Sequence, residues 1–209
     1  MQKVGARELD SAWVRLDGNP LLDEYNRATG GKTTLTGNIE AFSSTFSARD
    51  KLVKQYAWAV PSDEALARIA KLSPIIEVGA GAGYWAALLQ RHGAIVEAFD
   101  GEPPKSGENG WGHTVAYFDV QQGDHTALVG SAHKTLFLCW PPMTSMALDC
   151  LTAFEGKTVV YIGESGGGCT ATDEFHEKLE AEFERVEQID IPQWYGLHDY
   201  VGIWNRKDK

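Results

Sequence analysis

Cysteine is scarce in this chain. Only three cysteines, Cys139, Cys150 and Cys169, occur in 209 residues. An odd number with no paired spacing argues against a disulfide framework and against a zinc site, so we expect no metal. Cys139 lies in an apolar run and is expected to be a buried thiol. This cysteine content fits the reducing cytoplasm.

Long apolar runs and basic clusters are also missing. No stretch approaches the ~18 apolar residues that a membrane span requires, and residues 1–8 lack the apolar core of an export signal. The formal net charge is −10, with no basic stripe. Because such a surface repels a phosphate backbone, we expect neither a nucleic-acid nor a membrane partner. We expect one domain over residues 1–209, present as a monomer or homodimer.

A glycine-rich turn is the most informative stretch that the chain does contain. Residues 75–78 are mostly apolar with strand character, and the apolar spacing becomes helical after the turn. Gly79, Gly81 and Gly83 alternate with alanines between the two patterns, and a second apolar run ends at Asp100. A glycine turn opening a helix, with an acid about 20 residues later, is typical of nucleotide binding.

The spacing of the glycines separates two nucleotide ligands. The dinucleotide fingerprint G-x-G-x-x-G needs a third glycine where this chain has Tyr84, which speaks against an NAD-dependent oxidoreductase. The chain instead has Glu77 followed by three alternate glycines, E-x-G-x-G-x-G. This pattern resembles the first motif of class I S-adenosylmethionine (SAM) methyltransferases. A purely structural turn is the alternative.

The resemblance implies where SAM would bind. In that family the acid before the glycines lies near the amino end of the methionine part, the glycines pass beneath it, and the second acid binds the ribose. A polar residue after the third strand binds the adenine amino group, for which Asp119 matches and Gly123-Asp124 competes. The implied cofactor residues in this chain are Glu77, Gly79, Ala80, Gly81, Gly83, Asp100, Asp119 and Cys139.

Strand and helix patterns alternate through the rest of the chain. We predict five strand–helix units, with the third strand at 113–118, followed by an antiparallel pair at 185–191 and 200–204. This gives an α/β fold: a seven-stranded, mostly parallel, doubly wound sheet with a C-terminal antiparallel β-hairpin. That hairpin matches the class I methyltransferase fold. The resemblance covers residues 62–209, the Rossmann-like core.

The first 61 residues are predicted to form an N-terminal helical cap. Residues 20–27 and 38–58 read as helices, and Ser62 can cap a third helix. Residues 29–34 lack the first glycine of a phosphate loop, so we interpret them as a loop without that role. In the family, a helix before the first strand covers the cofactor, which would place Tyr56 and Trp58 beside SAM. The alternative is that these two aromatic residues only attach the cap to the sheet.

The turn after the fourth strand resembles a known acceptor-binding motif. Amino-methylating enzymes carry [N/D/S]-P-P-[Y/F/W] here, whereas this chain has Trp140, Pro141, Pro142 and Met143. Trp140 has no side-chain acceptor, and Met143 is a poor stacking platform. What remains is a rigid turn whose carbonyl groups could orient an amine and whose Trp140 face could stabilise a cation. The substrate-binding candidates are Trp140, Pro141, Met143, Trp194 and Tyr195; a structural turn is the alternative.

Three side chains are candidates for a general base. Glu164 ends the fifth strand, and His198 with Asp199 lies in the last loop. His176 is expected on a helix, at the surface. The catalytic candidates are therefore Glu164, His198 and Trp140, although an amine acceptor can react without a strong base.

The combined prediction is a SAM-dependent methyltransferase acting on a small molecule. We favour N-methylation of an amine, such as an amino sugar or another specialised metabolite of natural product biosynthesis. Small-molecule O-methylation is the alternative within the enzyme class. A non-catalytic SAM- or nucleotide-binding regulatory module is the alternative outside it.

Overall fold

The fold was analysed in a computed structural model that describes residues 13–32, 39–104 and 110–208. The six α-helices of the described residues are α1 (Pro20–Thr29), α2 (Ile39–Gln55), α3 (Asp63–Ala70), α4 (Tyr84–Arg91), α5 (Met146–Ala153) and α6 (Asp173–Glu182). A 3₁₀ helix, η1, spans His125–Leu128. The strands are β1 (Ile75–Val78), β2 (Val96–Asp100), β3 (Val120–Gln122), β4 (Thr135–Cys139), β5 (Thr158–Gly163), β6 (Phe183–Asp190) and β7 (Tyr200–Arg206).

The seven strands form one sheet in the order β3-β2-β1-β4-β5-β7-β6. Neighbours from β3 to β5 are parallel, and β7 runs antiparallel between β5 and β6. This order, with its terminal antiparallel pair, confirms the predicted class I methyltransferase fold. The order reverses at β1, so the ends of β1 and β4 open a crevice where ligands bind in such sheets.

Alternation along the central strands divides the core into two layers. On β4, Phe137 packs with the cluster formed by α1 to α4, whereas Leu136 and Leu138 pack with the cluster formed by α5 and α6. Successive side chains of a strand point to opposite faces. The continuously apolar strands are therefore those covered by helices on both sides.

Local sequence signals account for the helix starts. The Ser62 side chain accepts a hydrogen bond from Ala65 N at 3.2 Å, with Asp63 and Glu64 in the first turn of α3. Thr172 caps α6 in the same way, accepting from Phe175 N. Helix α1 has Pro20 at its start and ends at Gly30 in the left-handed conformation, with φ of 68°.

The prediction of a third strand at 113–118 is wrong. That segment lies outside the sheet, and the third strand is the short β3, which pairs Val120 with Ala98. The segment is instead held by Tyr117 N, which donates to Ala82 O at 2.8 Å, and by burial of His113 and Tyr117. Its apolar side chains pack against helices, which gives the sequence an apolar pattern like that of a strand although the segment does not pair with a strand.

The strand–helix alternation also fails at this point. In the described parts of the β2–β3 connection, residues 101–104 and 110–119, there is no α-helix, and the helix after β3 is the 3₁₀ helix η1. The sequence also predicts that residues 101–112, rich in glycine and proline, form a loop that could act as a flap over the adenosine. Residues 105–109 of this flap and residues 33–34 of the predicted loop lie outside the described residues. No helix of the described chain is both long enough and apolar enough to cross a bilayer.

Candidate active site

The glycine turn between β1 and α4 is shaped by backbone conformations that exclude larger residues. Gly79, Gly81 and Gly83 have φ of 79°, 54° and 72°. A Cβ at Gly79 would lie 2.5 Å from Met146 Cε, and one at Gly81 would lie 2.9 Å from His113 Cε1. Glycine is therefore favoured at these positions for two reasons: the backbone is left-handed, and neighbouring side chains approach it closely.

Asp100 ties this turn to the end of β2. Its side chain is 6% exposed, Oδ2 accepts a hydrogen bond from Gly81 N at 2.7 Å, and Oδ1 accepts one from Glu102 N at 2.8 Å. These bonds hold the carboxylate at the edge of the sheet where the turn opens. The predicted ribose position is thus next to the predicted glycine turn, as nucleotide binding requires.

Glu77 lies beneath the turn and away from the surface of the cavity described below. It is 2% exposed, and Oε2 has no hydrogen-bond partner among the described residues. Burial, reinforced by Asp100, raises its pKa well above the usual value, although a hydrogen bond with the Ala86 backbone opposes this. The predicted role of Glu77 near the methionine part stays a prediction.

A cavity of about 510 Å³ opens above the turn. This volume lies within the 300–1,000 Å³ range of small-molecule sites. On the side of β2 and β3 it is lined by Asp100, Gly101, Glu102, Trp111, His113, Gly123 and Asp124. On the side of β4 it is lined by Trp58, Cys139, Trp140, Pro141, Pro142, Met143, Thr144, Met146 and Cys169.

The β2 side of the cavity contains the charged groups. Of the two candidates for the adenine contact, Asp124 lines the cavity, whereas Asp119 is exposed and does not. Asp124 Oδ1 accepts from Thr126 N and Thr126 Oγ1, and these bonds lower the pKa of Asp124. His113 is buried, its Nε2 lies 3.0 Å from Val53 O, and burial lowers its pKa.

The β4 side is built around two indole rings. Trp58 and Trp140 stack with ring centres 4.9 Å apart and an interplanar angle of 16°. The Arg49 guanidinium lies 5.3 Å from the Trp58 ring centre and 5.6 Å from that of Trp140. These three separations form a nearly equilateral triangle, so the guanidinium contacts both rings.

Trp140 adopts a backbone conformation that is unusual for its residue type. Its φ of 53° is in the left-handed region, which costs a bulky residue free energy and requires support from its surroundings. Trp140 N donates to Ile162 O at 2.7 Å, and its Nε1 donates to Asp199 Oδ1 at 2.8 Å. Together with the Trp58 stack, these bonds fix the indole at the cavity wall.

Asp199, immediately before β7, is fully buried. Its Oδ2 has no hydrogen-bond partner among the described residues. Burial, and then repulsion from Glu164, raises the pKa of Asp199 to about 7, against lowering by the Trp140 bond and by Arg49. Asp199 does not line the cavity, but it bonds to the lining residue Trp140.

Glu164 and His198 are close together, but neither lines the cavity. Glu164 Oε1 accepts from His198 N at 2.9 Å and lies 3.3 Å from His198 Nδ1, while Oε2 accepts from Cys169 N at 2.8 Å. These hydrogen bonds outweigh burial and lower the pKa of Glu164. In this arrangement the carboxylate joins two loops; its role as a base stays a prediction, as does that of His198.

His176 is on helix α6, as predicted, but it is not at the surface. It is 8% exposed, and its Nε2 lies 3.1 Å from Thr170 O. The sequence did not indicate that His176 is buried, because most other positions of α6 are polar. A base role for His176 is not favoured by this location.

Three of the predicted aromatic site residues lie away from the cavity wall. Tyr56 belongs to a cluster with Tyr84 and Tyr117, with ring centres 5.3 to 5.8 Å apart. Trp194 is 1% exposed and packs edge-on against Tyr25 at 4.9 Å. Tyr195 is half-buried in the last loop.

Other predicted residues are on the wall, and some wall residues were not predicted. Gly79, Gly81, Asp100, Cys139, Trp140, Pro141 and Met143 line the cavity, while Ala80 and Gly83 shape the turn behind it. The residues that sequence reasoning missed are Arg49, Trp111, His113, Met146, Cys169 and, as a site residue, Asp199. Trp111 had a usable signal, since it lies in the proposed flap; Arg49 and Met146 had none, because their roles depend on distant contacts.

Comparison with known proteins gives structural similarity only. No family model matches the sequence, and no curated protein sequence matches it. The chain is similar to the 1,6-didemethyltoxoflavin-N1-methyltransferase of Burkholderia thailandensis, with 20% identity, coverage of 84% of this chain and 93% of that one, and a TM-score of 0.47.

Two further solved structures are similar at the same level. One is the magnesium protoporphyrin IX methyltransferase of Synechocystis PCC 6803 with bound SAM: 13% identity, coverage of 93% and 99% of the two chains, TM-score 0.48. The other is a TehB-like SAM-dependent methyltransferase of Corynebacterium glutamicum: 17% identity, coverage of 80% and 100%, TM-score 0.48.

Proposed function

We propose that this chain is a class I SAM-dependent methyltransferase that acts on a small molecule. The observation that carries the proposal is the glycine turn, which opens onto the cavity beside the buried Asp100 carboxylate. The chain uses SAM as its cofactor and forms a single domain, in which helices α1 and α2, the described part of the predicted cap, pack on the core.

The residues present fit SAM. Gly79 and Gly81 line the cavity without side chains, so their backbone is open to a ligand, and Met146 and His113 pack closely beside them. Asp100 can accept hydrogen bonds from ribose hydroxyls, and Trp111 and Asp124 line the end where the base would lie. Bound SAM supplies a methyl group activated by its sulfonium.

The chain's own contribution to transfer is alignment and exclusion of water. The β4 side of the cavity, with its prolines and indole rings, restricts where an acceptor can lie relative to the glycine turn. The faces of Trp58 and Trp140 can stabilise the positive charge that develops on an attacking nitrogen during transfer. This supports N-methylation of an amine in preference to O-methylation.

A small-molecule acceptor also agrees with the charge of the chain. The net charge of −10 disfavours a nucleic-acid acceptor, and the cavity has the volume of a small-molecule site. Whether the enzyme works as a monomer or a homodimer stays a prediction.

Calorimetry with two nucleotide ligands tests the cofactor. We expect S-adenosylhomocysteine to bind and NADH not to bind, because the turn lacks the third glycine of the dinucleotide fingerprint. NADH binding without S-adenosylhomocysteine binding would overturn the proposal. A non-catalytic module would also bind S-adenosylhomocysteine, so transfer of a labelled methyl group from SAM to acceptor candidates separates these two functions.

A further inference from the structure

The two sides of the cavity differ in their ionisable groups. Asp100, Glu102, Asp124 and His113 all lie on the β2 side. Among the described residues lining the β4 side there is no carboxylate, imidazole, ammonium or guanidinium group. The Arg49 guanidinium, which does not line the cavity, lies 5.3 and 5.6 Å from the ring centres of Trp58 and Trp140. A cationic acceptor group placed beside these rings would therefore lose its hydration and be repelled by Arg49.

The thiols on the β4 side do not replace a base. Burial raises the pKa of Cys139 well above its usual value, and the Glu164 side chain raises the pKa of Cys169. Both thiols therefore stay protonated at neutral pH. Asp199 and Glu164 lie behind this wall, engaged with Trp140 Nε1 and with the His198 and Cys169 amides.

The proline turn also offers few free acceptors for an amine. Pro141 O accepts from Ala171 N at 2.9 Å, and Pro142 O accepts from Thr144 N at 2.8 Å. These carbonyl groups are thus already engaged within the turn. Recognition of an acceptor on this side must depend mainly on shape and apolar contact.

The β4 side of the cavity is largely apolar and carries two aromatic rings. The stacked rings of Trp58 and Trp140 are nearly parallel, and Pro141, Met143 and Met146 add apolar and thioether surface. Aromatic rings and thioethers pack favourably against other planar, conjugated rings. The fixed position of Trp140, held by Asp199, makes the surface rigid.

We propose that the β4 side of the cavity binds a flat, conjugated acceptor whose attacking nitrogen is unprotonated at neutral pH, as in an arylamine or an unprotonated ring nitrogen. This inference rests on the proposed methyltransferase function and narrows its acceptor. It disfavours an aliphatic amine such as an amino sugar, since an alkylamine with a pKa of about 10 needs a base to become nucleophilic.

The transfer step balances without a protein base. The nitrogen lone pair of the acceptor forms the new N–C bond, while the C–S bond breaks and its electron pair remains on sulfur. The product ammonium of an arylamine is acidic and gives its proton to water after transfer. The chain's task is to hold the ring so that the nitrogen faces the methyl group.

A matched pair of amines tests this inference in the full-length protein saturated with S-adenosylhomocysteine. The probes are 1-aminonaphthalene and its saturated counterpart decahydro-1-naphthylamine, with dissociation constants measured by equilibrium dialysis. We expect the flat amine to bind about tenfold more tightly, the scale of favourable ring contacts. With SAM in place of S-adenosylhomocysteine, mass spectrometry should detect N-methylation of the flat amine first.

Two variants test whether the Trp58 ring causes the preference for the flat amine. In Trp58→Leu the ratio of the two dissociation constants should fall to about threefold or less, whereas Trp58→Phe, which keeps a flat ring, should retain most of it. Equal or tighter binding of the saturated amine, binding of neither amine, or a ratio unchanged in Trp58→Leu would overturn the inference. Failure of the protein to bind S-adenosylhomocysteine would instead overturn the proposed function itself.

Discussion

Asp100 is the side chain that connects the glycine turn to the neighbouring strand. Its two oxygens accept from Gly81 N and Glu102 N, so it shapes the loop as well as facing the cavity. Replacing it therefore affects both the ligand and the turn. The two effects can be separated by choosing the substitution.

Asp100→Ala should weaken S-adenosylhomocysteine binding by about 1–3 kcal/mol, the value of a hydrogen bond to a charged group. Asp100→Asn keeps one carbonyl oxygen that can accept from Gly81 N, so its loss should be smaller. Calorimetry measures both. Unchanged affinity in Asp100→Ala would remove this residue from the ribose role.

The two candidates for the adenine contact can be distinguished directly. Asp124 lines the cavity and Asp119 does not, although both side chains are exposed. We expect Asp124→Ala to weaken S-adenosylhomocysteine binding about threefold to tenfold and Asp119→Ala to have almost no effect. If Asp119→Ala has the larger effect, the sequence-based choice of Asp119 is the correct one.

Asp199 gives a pH-dependent prediction. Its pKa is about 7 in the folded protein, against an ordinary value of 3.8, so the folded state binds more protons than the unfolded state between these pH values. Stability therefore falls as pH rises from about 4 to 7, by an amount on the order of 4 kcal/mol at most. Above pH 7 the loss is constant.

Asp199→Asn should remove this pH dependence while keeping an oxygen that accepts from Trp140 Nε1. The stability of the variant relative to the wild type should rise by roughly 2–3 kcal/mol between pH 5 and pH 8, as measured by urea unfolding at both pH values. A stability difference that does not change between pH 5 and pH 8 would contradict the assignment of this titration to Asp199.

At the scale of elements, the glycine turn and the edge strand depend on each other. Gly83 starts α4 with φ of 72°, and a Cβ there would lie 2.7 Å from Phe118 Cβ and 2.8 Å from Val120 Cγ2. Val120 begins β3, which has only three residues. The third glycine of the motif thus lets the segment before β3 pack against the start of α4.

A pair of glycine substitutions separates backbone strain from steric collision. Gly93→Ala, with φ of 87° and nothing within 4 Å of the new Cβ, should cost about 1–2 kcal/mol from strain alone. Gly83→Ala should cost about 1–3 kcal/mol more, because Phe118 and Val120 must move. Urea unfolding of both variants measures the difference. Equal losses of unfolding free energy would mean that Phe118 and Val120 move aside at no cost.

At the scale of the whole molecule, Arg206 fastens the C-terminal hairpin to the helical layer. From β7 it donates to Gly156 O at 3.0 Å, to Phe154 O at 2.6 Å and to Glu182 Oε2 at 3.0 Å. Its guanidinium also lies 4.3 Å from the Phe183 ring centre. One side chain thus joins the end of α5, the end of α6 and both hairpin strands.

Arg206→Ala should therefore destabilise the protein by about 2–4 kcal/mol, because two carbonyl groups and a carboxylate lose their donor. Arg27→Ala is the matched control: its ion pair with Glu24 is on the surface, with side chains 66% and 41% exposed, and its loss should cost less than about 1 kcal/mol. Thermal and urea unfolding would show whether the two arginines differ as expected. Equal losses would contradict the fastening role of Arg206.

Local signals were sufficient for much of the fold. The alternate glycines, the helix cap at Ser62 and the apolar run that contains Cys139 depend on near neighbours, and each was found from the sequence. The segment at 113–118 was mispredicted because its apolar residues face helices distant in sequence. An apolar pattern records burial but not the partner that provides it.

The sequence alone therefore determined that the sheet is mostly parallel with a C-terminal antiparallel hairpin, and it located the glycine turn and Asp100. These features are encoded in spacings of a few residues. Only the tertiary structure decided which side chains meet at the acceptor end. The Trp58–Trp140 stack joins residues 82 positions apart in the chain, the Trp140–Asp199 hydrogen bond joins residues 59 apart, and Arg49 lies beside both indole rings. No short-range pattern contains that information, and the chemistry of the acceptor depends on it.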